Sequence, residues 1–211
     1  MNVTELLYVV PAALAAIIGH EFAHGYVSYK MGDPTPKRDG RLSLNPLKHL
    51  DPLGTLCLIL FHFGWAKPVQ INMAYYENKR KGVLLTALAG PAMNFIMALI
   101  AYLITGVIVK MTGGLIPTPV FIFAQWLEYF AAMNIGLGVF NLIPIPPLDG
   151  SKALGMILHN DPESIAGRIH RQGYFVLAIL AITGILSIPM NLARTAVSTG
   201  MITIVRFILR L

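Results

Sequence analysis

Hydrophobic residues fall in long blocks along this chain, at about 6–29, 84–109, 120–143, 174–188 and 192–211, separated by basic or proline-rich stretches. A helix needs roughly 20 apolar residues to cross a bilayer. The first three blocks meet that length and the fourth is marginal. The fifth carries Arg194 and Arg206 and spans only if those side chains snorkel. Gly90-Pro91 predicts a kink in the second block, Pro144, Pro146 and Pro147 end the third, and Pro189 separates the last two. A further apolar stretch, 51–66, is too short to span. Its continuation through Lys67, Pro68 and Val69 is strand-like, which predicts a re-entrant, β-hairpin-like segment at about 51–72. Such a segment is tolerated at membrane depth only where protein or a cavity surrounds it. The pattern predicts an all-α polytopic membrane protein with about five transmembrane helices, in one domain over residues 1–211.

Composition supports lipid as the solvent. Charged residues make up 12% of the chain against 55% hydrophobic, with mean hydropathy +0.65; soluble domains carry about 25% charge. The net charge of +6 could suit nucleic acid, but its distribution argues against such a partner. Lys30, Lys37, Arg38, Arg41, Lys48, Lys67, Lys79, Arg80 and Lys81 lie between the first two blocks, Lys152, Arg168 and Arg171 follow the third, and Lys110 alone lies between the second and third. Positive charge gathers on cytoplasmic loops, so five spans would put the N-terminus outside and the C-terminus inside. Cys57 stands alone, which excludes an internal disulfide and a cysteine-cluster metal site. Glu5, not a basic region, precedes the first apolar run, so no cleavable signal peptide is expected.

The chemistry begins inside the first block, at His20-Glu21-Phe22-Ala23-His24. On a helix this spacing sets two imidazoles one turn apart on one face, where they can hold a zinc ion, with Glu21 beside them to take a proton from water. An ordinary helix with two hydrogen-bonded histidines has the same sequence, but ionisable groups at membrane depth are costly unless they line a polar site. A catalytic zinc site takes three protein ligands and keeps one open position. Asp149 is the candidate third, because the expected topology returns it to the membrane face of His20 and His24. Asp149-Gly150 also reads as a plain turn. His49 and His62 read as loop or interfacial residues, and His159 and His170 as solvated.

Taken together these residues resemble the site-2 protease family of intramembrane zinc metalloproteases, in its minimal prokaryotic form without an inserted peptide-binding domain. The resemblance rests on His20-Glu21-x-x-His24, on Asn45-Pro46 through Gly54-Thr55, on Gly64-Trp65 through Val69, on Gly90-Pro91-x-x-Asn94, and on Phe140-Asn141 through Asp149-Gly150. It implies one Zn2+ per chain held by His20, His24 and Asp149, with Glu21 as catalytic base. It makes Asn141 and, less directly, Asn94 candidates for stabilising the oxyanion or holding substrate. Asn94 also fits a plain interhelical hydrogen bond. The implied activity is cleavage of a transmembrane protein substrate in the prokaryotic cell membrane, with the site opening to the cytoplasm. The 69–72 stretch would offer an edge for an extended substrate, or serve only as a structural hairpin. A metal-binding membrane transporter or an inactive scaffold would also use intramembrane His and Asp, but neither needs a base such as Glu21.

Overall fold

The computed structural model describes residues 3–51, 54, 67–158 and 170–211. Helix α1 (Val3–Lys30) contains Pro11, and a single turn, α2 (Thr35–Arg38), follows it. Helix α3 (Lys79–Thr112) is the longest, at 34 residues. Asn78 caps its start by accepting the Lys81 N–H, and Gly113, with φ 59°, ends it in the left-handed conformation. Helix α4 (Thr118–Asn141) stops ahead of the proline corner. Helices α5 (Asp149–Ile157), α6 (His170–Thr183) and α7 (Ser187–Leu209) complete the order.

The bundle is apolar outside as well as inside. Ile96, Ile100 and Ile104 recur one turn apart along α3 and are all exposed, as are Phe121, Ile122 and Phe123 on α4. Where helices meet, small residues dominate: Ala98 and Ala101 of α3 and Ala131 of α4 are fully buried, packed with Leu127, Ile135 and Val205 of α7. Small residues at contacts and large apolar ones at the periphery suit helices that associate in lipid.

Among the described residues, four helices are long and apolar enough to cross a membrane: 5–30, 79–112, 118–141 and 187–209. The expected fourth span is instead α6, whose 14 residues reach about 21 Å, short of a bilayer core of roughly 30 Å. Gly184, at φ 69°, turns the chain into α7. Pro189 does not divide one helix from the next; it sits in the first turn of α7, where its missing N–H has no intrahelical acceptor in any case. Helix α7 runs parallel to α3, because Lys110 Nζ donates to the Leu209 carbonyl at 2.5 Å. The C-terminal end therefore shares the face of Lys110, opposite to the five-span expectation.

Most of the expected re-entrant hairpin, residues 52, 53 and 55–66, lies outside the described residues. Its final stretch, 67–72, has no regular secondary structure, and no strand occurs among the described residues. Two backbone donors pin this stretch to α1 and the loop after it: Val69 N–H to Glu21 Oε2 at 2.9 Å, and Asn72 N–H to Asp33 Oδ2 at 2.8 Å. Asp33 is fully buried. Its other oxygen accepts the Thr35 N–H at 2.9 Å, and Ser28 donates to Oδ2 at 2.9 Å. Ser28 also meets the Tyr76 hydroxyl at 2.8 Å, which lies 3.1 Å from Thr86 Oγ1 on α3.

Burial pushes the Asp33 carboxyl up, but hydrogen bonds from Thr35, Asn72 and Ser28 outweigh it and set its pKa below the ordinary 3.8. Folding thus favours the ionised form, and its contribution is complete above pH 3.8 and fades as pH falls through the lower folded value. Asp33→Asn should lower stability by about 1–3 kcal/mol at neutral pH. Thermal unfolding in detergent should show the gap from wild type shrinking below about pH 4. A pH-independent gap would contradict the assignment.

Candidate metal centre

The site is built where two stripes of residues face each other. On α1, Ala16, His20 and His24 recur every fourth residue; on α3, Asn94, Gly90 and Thr86 do the same in the opposite direction. Spacing of four keeps each set on one face of its helix. At Gly90 an added Cβ would lie 2.5 Å from His20 Cε1, His20 Nε2 and His24 Nε2. Only glycine lets the histidine pair lie against α3. The sequence pattern assigns Gly90-Pro91 a role in kinking the helix; packing against the imidazoles is the sharper reason for a glycine there.

Hydrogen bonds fix both rings. His24 Nδ1 lies 2.6 Å from the Thr86 carbonyl, which can only accept, so Nδ1 carries the proton. His20 Nδ1 lies 2.6 Å from Asn94 Oδ1. The orientation of that amide follows from its nitrogen, which donates to the Ala16 carbonyl at 3.2 Å and to Asn134 Oδ1 at 2.8 Å. Asn134 is in turn tied to the Phe130 carbonyl at 2.8 Å. With Nδ1–H committed on each ring, the neutral imidazoles would turn an unprotonated Nε2 to the same point.

Asp149 completes that point. Its Oδ2 is 3.2 Å from His20 Nε2 and 3.0 Å from His24 Nε2, and the two Nε2 atoms are 2.9 Å apart. All three residues are buried. Three acceptors this close repel unless positive charge lies between them, a proton or a metal ion. Zinc bonds of about 2.0–2.1 Å in a tetrahedron set ligand atoms roughly 3.3 Å apart, so the donor set fits zinc by chemistry and by spacing. Among the described residues, His20, His24 and Asp149 are the group whose ligand atoms converge to within 4.8 Å.

Asp149 arrives through the proline corner. Leu148 is extended, α5 begins at Asp149, and Gly150 lies against the end of α4: a Cβ there would come 2.2 Å from the Leu142 carbonyl oxygen. Burial opposes ionisation of Asp149, and the Lys152 ammonium beside it favours the carboxylate. Lys152 Nζ is 3.1 Å from Oδ1, which leaves Oδ2 to face the imidazoles.

A cavity of about 700 Å³ opens beside these ligands, lined among others by Glu21, Val69, Asn141, Pro147 and Lys152. Glu21 lies on the cavity side of α1 with its carboxylate on the Val69 N–H. Asn141 lines the cavity too, its Nδ2 donating to Leu137 O at 3.0 Å in its own helix. Asn94 is elsewhere: fully buried behind His20, with its amide oxygen and nitrogen both engaged. Sequence reasoning misses Thr86, Asn134, Lys152 and the Val69 N–H. Of these, Asn134 carries a signal, a polar side chain two turns before Asn141 in an apolar helix.

Two substitutions test the support around the imidazoles. Gly90→Ala should cut zinc affinity by more than ten-fold while helical content by circular dichroism is unchanged. Asn94→Leu, which keeps the volume but not the acceptor for His20, should weaken zinc binding by about 10–100-fold in chelator competition. Unchanged affinity in both would mean that the rings are not held from α3.

Comparison with known proteins agrees with this geometry. The model of peptidase family M50 matches residues 106–184, a stretch that holds Asn141 and Asp149. A Bacillus subtilis (strain 168) protein named "Putative zinc metalloprotease YwhC" is 34% identical over 182 residues, covering 83% of this chain and 80% of the relative. The Mycolicibacterium smegmatis protein "Putative zinc metalloprotease Rip2" is 27% identical over 183 residues, covering 84% and 67%. No solved structure matches significantly. Four membrane-length helices, a buried His-His-Asp cluster and this relationship over most of its length place the chain in peptidase family M50, the site-2 protease family of zinc metalloproteases.

Proposed function

We propose that this membrane metalloendopeptidase hydrolyses a peptide bond within or beside a transmembrane segment of a membrane-protein substrate. His20, His24 and Asp149 hold the zinc, and Glu21 is the general base. The observation that carries the reading is the convergence of three ligand atoms at one point inside a membrane-length bundle, beside a cavity that Glu21 lines.

Bound there, zinc supplies a Lewis acid for the scissile carbonyl and makes water acidic enough to ionise near neutral pH. The chain's own groups do the rest. Glu21 adjoins His20 and takes the proton as water adds to the carbonyl carbon. It returns that proton to the amine nitrogen as the C–N bond breaks. Asn141 turns its amide from the Leu137 carbonyl toward the developing oxyanion. The Asn94 amide supports His20 and does not reach the reacting atoms. The 67–72 stretch, which borders the cavity at Val69, aligns an unwound substrate segment along its edge.

Basic residues support a cytoplasmic opening in the prokaryotic cell membrane. The loops joined to the C-terminal end of α1 and the N-terminal end of α3 hold most of them, and Lys152 lines the cavity at the same face.

The test is a comparison of purified wild type, Glu21→Gln and Asp149→Ala in detergent, with bound zinc and cleavage of a single-span substrate measured together. Glu21→Gln should keep near-stoichiometric zinc and lose cleavage by about 10²–10⁴-fold. Asp149→Ala should lose zinc. Equal cleavage by wild type and Glu21→Gln would overturn the role of Glu21. Zinc without cleavage in wild type, across several substrates, would favour a metal-binding transporter or scaffold.

A further inference from the structure

Behind the catalytic cavity lies a second groove that the hydrolytic chemistry does not use. It has a volume of about 330 Å³ and runs between α1, α4 and α7, with Ala13 and Ala16, Ala132 and Gly136, and Met190 and Arg194 among its walls. Ile17, Leu137 and Phe140 border both this groove and the catalytic cavity, so the two share a wall.

Arg194 is the anomaly in it. Its guanidinium lies against Gly136, with Nε and Cζ 3.6 Å from where a Cβ on that glycine would be. Gly136 is five residues, about 7.5 Å, inside the end of α4 at Asn141. The guanidinium is thus within the spanning region of the bundle. Among the described residues it has no ion pair or hydrogen bond. Apart from Arg194 the groove is lined by alanine, glycine, methionine and larger apolar residues. A charge so placed calls for an anion, or for a reach back to the interface.

We propose that this groove binds an anionic phospholipid, its phosphate on Arg194 and a stretch of acyl chain along the Ala13, Ala16 and Ala132 wall. Met190 and Phe140, nearer the ends of α7 and α4 than Arg194 and Gly136, also line the groove, so its polar end is on the side of those helix ends. Guanidinium matches phosphate with two parallel hydrogen bonds. Lipid is favoured over a substrate carboxylate because acidic residues within transmembrane segments are rare, whereas every leaflet supplies phosphate. An occupant would pack against the far side of Ile17, Leu137 and Phe140, bracing the catalytic cavity from behind. The inference does not depend on the proposed proteolytic mechanism.

The experiment uses the whole chain in nanodiscs of phosphatidylcholine with or without phosphatidylglycerol, followed by native mass spectrometry of detergent-released protein. Arg194→Gln, Arg194→Lys and Lys37→Gln are compared with wild type, the last removing one exposed loop charge remote from the groove. Wild type and Lys37→Gln should each retain one phosphatidylglycerol, Arg194→Gln should retain at least ten-fold less, and Arg194→Lys should fall between. Bound zinc, unchanged in Arg194→Gln, reports that the fold is intact. Equal retention by Arg194→Gln and wild type would overturn the proposal, as would equal loss in Lys37→Gln, which would mean that loop charge alone attracts lipid. Unchanged retention with lost cleavage of a substrate bearing an acidic residue in its span would assign the groove to substrate instead.

Discussion

The structure depends on the close approach of α1 to α3 at Gly90. Two imidazoles lie where one methyl group would displace them, and each gives its Nδ1 proton to an oxygen of α3. These bonds settle the tautomer, and the tautomer settles what the site can bind. A histidine whose Nδ1–H is committed presents a lone pair at Nε2, and two such lone pairs with a carboxylate make a ligand set for a cation. Pro91 follows at once; lacking an N–H, it leaves the Ala87 carbonyl without its α-helical donor. The Thr86 carbonyl, one turn before Gly90, is where His24 finds its acceptor.

Lipid as solvent explains why the polar residues are chained and not scattered. No water is at hand to satisfy a stray amide at membrane depth, so each one must end on another group. The chain from His20 runs to Asn94, then to Ala16 O and Asn134, and ends on the Phe130 carbonyl. A second chain, Asp33 to Ser28 to Tyr76 to Thr86, does the same at the basic face. It ends on the residue whose carbonyl holds His24. The loop carrying Asn72 and Tyr76 is thereby connected to the imidazole through three hydroxyl groups. Position at one end of this chain constrains position at the other.

The proposed ligands are legible in the sequence because they obey local rules or a motif. His20 and His24 are one turn apart, Glu21 follows from its neighbour, and the proline corner marks Asp149. The first three long helices are legible for the same reason, as lengths of apolar residues. What is not legible comes from tertiary geometry. Thr86 acts through its carbonyl, a group every residue owns, and Val69 through its amide, so neither is marked by its side chain. The fourth apolar block fails as a span because hydropathy does not register where a turn such as Gly184 falls, and Pro189 is compatible with a helix start. Asn94 makes the interhelical hydrogen bonds that its sequence allows, joining α3 to His20 and Ala16 of α1 and to Asn134 of α4; that one of them reaches a histidine ring is what the sequence does not show.

The proposed third ligand lies 125 residues beyond His24 in the chain, and that distance has an energetic consequence for a bound cation. Helices α1 and α3 already meet face to face, but the corner bearing Asp149 is joined to α1 through the carboxylate, where like acceptors converge. Without a cation that junction is repulsive; with one it becomes a cross-link between the start of the chain and the α4–α5 corner. Metal binding is therefore folding free energy for that corner. Gly150 against the Leu142 carbonyl and Lys152 on Asp149 Oδ1 hold the carboxylate near its place beforehand, which lowers the ordering that the metal must impose. The same cross-link fixes the walls that the corner gives to the catalytic cavity, Pro147 and Leu148 among them. If Asp149 is the third ligand, ligation and the shape of the cavity beside it are coupled through one carboxylate.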